Sequence, residues 1–176
     1  MTEKDIRLPD PEEAARIEHA SPGSWVALTF AASMALNIAT SEFFWAPSFL
    51  SLTIIFWTLR QPESSGMAAA FVCGILMDAI NGAVLGQHAL AYVTICYLTT
   101  VLSRRLPLFG PAGQALHILP ILVFSQVLVM LARLWFDGLW PGFPWFLQSF
   151  TGALLWPVAS LILSLPERRS LGRESV

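Results

Sequence analysis

The chain has 176 residues, 55% of them hydrophobic and 12% charged, with a formal net charge of −2 and a mean hydropathy of +0.62. Ordinary soluble domains carry about 25% charged residues, so a soluble globular fold is excluded and an integral membrane protein is expected. The near-neutral charge leaves no basic stripe for phosphates, which removes nucleic acid from the expected partners.

Residues 1–24 form a polar N-terminal segment. Asp10, Pro11, Glu12 and Glu13 read as a helix start, with Asp10 as cap and Pro11 at the first helical position. Such a helix would run to about Ala20 and stop at Ser21-Pro22-Gly23. The segment is too polar to span a bilayer; a cytoplasmic surface helix and a disordered tail are both compatible with it. It lacks the apolar core of a signal peptide.

Six apolar segments follow, at 25–43, 48–59, 66–80, 83–102, 114–136 and 145–165. A helix of ~20 residues crosses a ~30 Å hydrocarbon core. The second and third segments are short, and read as tilted partners in a tight hairpin or as helices extending into their flanks. The expected fold is therefore an all-α membrane protein, a six-transmembrane-helix bundle over 25–165 with a tail over 166–176.

Basic residues set the orientation. Lys4, Arg7, Arg16, Arg60, Arg104, Arg105, Arg168, Arg169 and Arg173 fall on one side if six helices alternate, and Arg133 alone lies toward the other. Both termini are thereby expected in the cytoplasm. The opposite side carries Phe43, Phe44, Trp45, Trp135, Phe136, Trp140, Phe143, Trp145 and Phe146. Aromatic rings suit headgroup depth, and the same cluster could dock another membrane protein.

Within the first segment Ala27, Ala31, Ala35 and Ala39 recur every four residues. A small-residue stripe lets a second helix approach closely, either within the chain or from a partner. Pro120 and Pro157 interrupt segments five and six, where freed carbonyls need internal donors. Ser125 and Gln126 are the candidate interhelical donors. Cys73 and Cys96 each sit in an apolar run and read as small buried hydrophobes.

The stretch from Gly74 to His88 is the most informative. Gly74, Asp78, Gly82 and Gly86 fall at steps of four, and the first three share a face if the helix reaches Gly82. A carboxylate inside an apolar span is a functional-site candidate by default, although Asp78 could simply cap a helix end. Arg133 lies at similar depth and is the expected ion-pair partner, with Asp137, four residues on, as its local competitor. No catalytic constellation, metal-ligand spacing or cofactor loop is present. His88 and His117 read as isolated residues near the membrane surface, so no enzyme, cofactor or metal is expected.

The run Pro47 to Trp57, then Gly66 to Phe71, then Gly74, Asp78, Gly82 and Gly86, then Ala89-Leu90, resembles the bacterial rod shape-determining protein family MreD. The short size, the six-segment hydropathy and the Arg104-Arg105 turn fit that resemblance. It implies a non-enzymatic scaffold in the bacterial inner membrane, part of the cell-elongation and peptidoglycan-synthesis machinery. The implied partner is MreC, a bitopic protein with a periplasmic domain, with MreB, RodA and a class B penicillin-binding transpeptidase assembled around the pair. The family is also similar in fold to the substrate-binding subunits of energy-coupling-factor vitamin transporters, which dock through a small-residue stripe on helix one. A solute-binding subunit is therefore the alternative reading. Its pocket would draw on Asn37, Glu42, Asp78, Asn81, Gln87, His88, Arg133 and Asp137.

Overall fold

A computed structural model describes residues 23–61, 66–136, 138, 140 and 142–165. Among them the chain is all-helical, with α1 (Gly23–Ala39), α2 (Phe49–Arg60), α3 (Met67–Ile80), α4 (Gln87–Leu102), α5 (Pro111–Phe136) and α6 (Leu147–Leu163). Short 3-10 turns occur at Leu106–Leu108 and Phe143–Phe146. The helix start at Asp10, the basic tail residues and Asp137 lie outside the described residues.

Two stretches, Pro111–Phe136 and Phe143–Leu163, are long and apolar enough to cross a membrane. The other four helices fall short of that length. For α2 the packing explains why: every residue from Leu50 to Thr58 is buried, against α1, α4 and α6. Its 12 residues rise only about 18 Å, but protein rather than lipid surrounds them. The fourth expected segment starts late, at Gln87, because Gly82 and Gly86 turn the chain with φ of +61° and +104°.

Polarity is arranged inside out. Thr29, Ser33, Thr53, Thr58, Thr99 and Gln126 are buried, while Phe71, Leu76, Val101, Leu116, Leu154 and Ile162 are exposed. Exposed apolar surface on that scale is not tolerated on a soluble monomer. Lipid is its natural solvent, and interior hydroxyls and amides then hold the helices together.

The α1–α2 contact illustrates this. Thr29, Ser33 and Asn37, spaced by four, face α2. Trp57 Nε1 donates to Thr29 Oγ1 at 2.9 Å, Ser33 and Thr53 hydroxyls are 2.5 Å apart, and Phe49 N–H donates to Asn37 Oδ1 at 2.8 Å. Ala27, Ala31, Ala35 and Ala39 lie on the other side of α1, all exposed.

Pro120 and Pro157 both sit inside helices. Gln126 bridges elements as expected: its Nε2 donates to Trp145 O at 2.9 Å and to Gln148 Oε1 at 2.8 Å, and Ser149 Oγ donates to its Oε1. Ser125 does not. Its hydroxyl donates to Leu122 O, 2.8 Å away in its own helix, because a helical serine reaches a carbonyl one turn back before it reaches a neighbour. Neither cysteine is in a disulfide; Cys96 is buried and Cys73 half-buried.

Candidate functional site

The α3–α4 hairpin is built around Asp78, which has no solvent exposure. Helix α3 stops at Ile80, so Gly82 leaves the face shared by Gly74 and Asp78. The chain then reverses through Asn81 to Gly86, with Ala83 N–H donating to Asp78 O at 2.9 Å. This return delivers the start of α4 onto the Asp78 carboxyl group. Gly86 N–H donates to Oδ2 at 2.8 Å, and His88 N–H donates to Oδ1 at 3.0 Å. His88 Nδ1 lies 2.6 Å from Oδ1. A carboxylate only accepts, so Nδ1 is the donor of that contact.

Asp78 therefore caps a helix, but the next one rather than its own. The first N–H groups of α4 have no intrahelical partner, and a negative group belongs at that end of the dipole. The expected Arg133 pairing gives way to this arrangement. Depth matching placed the two residues level, yet a hairpin partner eight to ten residues away in the chain reaches the carboxyl group first. The Arg133 guanidinium instead lies 4.5 Å from the centre of the Trp145 ring, a cation–π distance.

Gly74 makes the hairpin close enough for this to work. A Cβ at that position would fall 2.2 Å from Ala89 Cα and 2.4 Å from Ala89 N. The backbones of α3 and α4 thus touch one turn from Asp78. Gly86 contributes differently, through the left-handed φ that aims its N–H at Oδ2.

His88 also lines a cleft of about 450 Å³ at this end of the bundle. The C-terminal end of α1 and its following loop supply Asn37, Ser41 and Glu42, the end of α3 Asn81, α4 Tyr92, α5 Gln126 and Arg133, and the Phe143–Phe146 turn Trp145. Five of the eight polar groups expected to converge here do line it: Asn37, Glu42, Asn81, His88 and Arg133. Asp78 and Gln87 are buried instead of lining it. Gln126 pins the Phe143–Phe146 turn through Trp145 O, which steadies the ring under Arg133. The result is a mixed wall of one acid, one guanidinium, an imidazole and aromatic rings. Among the described residues no group of three or more His, Cys, Asp or Glu side chains could hold a metal ion.

Sequence reasoning singled out Asp78, Gly74 and Gly86 but missed His88 as the partner. The available signal was the pair of glycines between them, which marks a reversal bringing residue 88 back to residue 78.

A family model described as rod shape-determining protein MreD matches residues 20–163. The chain is similar to the rod shape-determining protein MreD of Haemophilus influenzae, 26% identical over 126 residues that cover 70% of this chain and 76% of that protein. No solved structure matches the chain.

Proposed function

Because the chain belongs to the rod shape-determining protein MreD family, we propose that it is a non-enzymatic, multi-pass scaffold of the bacterial inner membrane that holds MreC within the cell-elongation complex. MreB, RodA and a class B penicillin-binding transpeptidase would join through that pair. Six spans with both termini cytoplasmic follow from the basic residues, with the aromatic end and its cleft facing outward. Alkaline phosphatase fused after Pro141 is expected to be active, and after Leu108 inactive. The reverse pattern overturns the topology.

The observation that carries the scaffold reading is the bare face of α1. Its polar residues are committed to α2, and Ala27, Ala31, Ala35 and Ala39 are exposed. A partner's single transmembrane helix can approach backbone to backbone there. Continuity supports the choice, since Asn37, Thr40, Ser41 and Glu42 at the end of α1 also form the first wall of the outer cleft. A helix lying on α1 would deliver its next, extracytoplasmic residues to that cleft. Both matches carry the name of a shape-determining protein, and neither names a transporter subunit.

Ala31→Phe and Ala35→Phe are expected to abolish co-purification of MreC and rod shape, while the protein still inserts and accumulates. Unchanged MreC recovery in both variants would overturn the α1 docking face.

A further inference from the structure

The exposed apolar surface is not equally deep on all sides. On α5 it runs from Leu116 through Phe124 and Leu131 to Phe136, about 30 Å at the helical rise per residue, which matches the hydrocarbon core of an ordinary bilayer. On α3 it runs from Met67 through Phe71, Val72 and Leu76 to Ile80, about 20 Å. On α4 it runs from Leu90 through Tyr97 to Val101, about 17 Å.

Polar groups close the shorter band at both ends. Asn81 is exposed directly after α3, and the chain then turns through Gly82 and Gly86; such a turn is not tolerated where it meets hydrocarbon. At the other end Arg104 and Arg105 are exposed just after α4, and Glu63, Ser64 and Ser65 precede α3 in the chain. Between these limits the Thr94 and Thr100 hydroxyls donate to Leu90 O and Cys96 O of their own helix, each at 2.8 Å, as a lipid-facing helix requires. Tilting does not repair the shortfall, because a tilted helix crosses less depth than an upright one. Snorkelling by Arg104 and Arg105 covers part of it, at one end. What remains is met by the lipid, since a bilayer thins beside an apolar stretch shorter than its core.

We propose that the α3–α4 face thins the bilayer beside it and gathers lipids with short acyl chains there, while the α5 face sits in bilayer of ordinary thickness. The test places the photoreactive residue benzoylphenylalanine at Leu76 or Tyr97 on the short face, or at Leu131 on α5, in the purified full-length protein. The vesicles hold equal parts of dimyristoleoyl and dierucoyl phosphatidylcholine, and mass spectrometry identifies the lipid joined to each position. At Leu76 and Tyr97 the short-chain lipid should exceed the long-chain one about fivefold, as a mismatch of several ångströms implies. At Leu131 the two should be recovered in near-equal amounts. Equal recovery at all three positions overturns the proposal. So does a short-chain preference of the same size at Leu131, which would belong to the protein as a whole. Crosslinks from Leu76 or Tyr97 to a second copy in place of lipid overturn it too, since association would then relieve the mismatch. The proposal rests on the six-span reading, and Asn81→Cys tells the two failures apart. In spheroplasts this cysteine should react with a membrane-impermeant maleimide added outside. Reaction only after lysis overturns the six spans and the thinning with them; reaction from outside with equal lipid recovery overturns the thinning alone.

Discussion

Asp78→Ala is expected to cost about 3–5 kcal/mol of stability, the penalty for removing one member of a buried, charge-assisted set of contacts. The carboxyl group is the shared acceptor of Gly86 N–H, His88 N–H and His88 Nδ1. Each donor left unsatisfied in a buried site costs about 1–3 kcal/mol, and lipid on the far side of the hairpin offers no replacement. Asp78→Asn keeps one acceptor oxygen and should fall between that variant and wild type. His88→Ala loses only the ring contact, since its backbone N–H still donates, and should cost about 1–2 kcal/mol. Denaturation midpoints in detergent, read for the three variants side by side, check the ranking. An Asp78→Ala protein within about 1 kcal/mol of wild type, the size of an ordinary net hydrogen bond, would overturn the latch. The charge swap Asp78→Arg with Arg133→Asp is not expected to rescue either single change, because an arginine at position 78 offers no acceptor to the Gly86 and His88 backbone N–H groups that the carboxyl group holds.

Much of this arrangement was legible from the residues, and the limits have physical causes. A lone carboxylate in an apolar run announces itself, and so does a period-four alanine stripe. Which way the stripe faces depends on the opposite side of α1, where Thr29, Ser33 and Asn37 repeat at the same period. Those three were readable as an interhelical ladder, and that ladder turns the alanines outward. The partner of Asp78 was harder. Periodicity carried α3 on to Gly82, but a glycine at φ +61° ends a helix as readily as it continues a small-residue face, and sequence alone does not distinguish the two. Segment length was ambiguous in a similar way. Hydropathy reports that α2 is apolar, not that protein encloses it, so the sequence left open why a segment this short, 12 residues, is so apolar. The fold and the hairpin follow from residue chemistry; the role in rod shape determination follows from family membership.

Gly74→Ala is the sharpest test of the same hairpin from its other side. The added Cβ would meet Ala89 Cα at 2.2 Å, Ala89 N at 2.4 Å and His88 C at 2.8 Å. All three are backbone atoms, so no rotamer change relieves the clash and the two helices must part. Overpacking usually costs about 1–3 kcal/mol, and more where nothing can yield; the expected loss here is about 3 kcal/mol or greater. Ala89→Gly should not rescue it, since the obstruction is the main chain and not the Ala89 methyl group. Separation of the helices also draws Gly86 and His88 away from Asp78. In a Gly74→Ala background, Asp78→Ala should therefore cost clearly less than it does alone, as expected for residues that share one contact network. Unfolding midpoints of the two single variants and the double variant complete the cycle. If the two losses add, or if Ala89→Gly restores stability, the close crossing at Gly74 is not what holds α4 against Asp78.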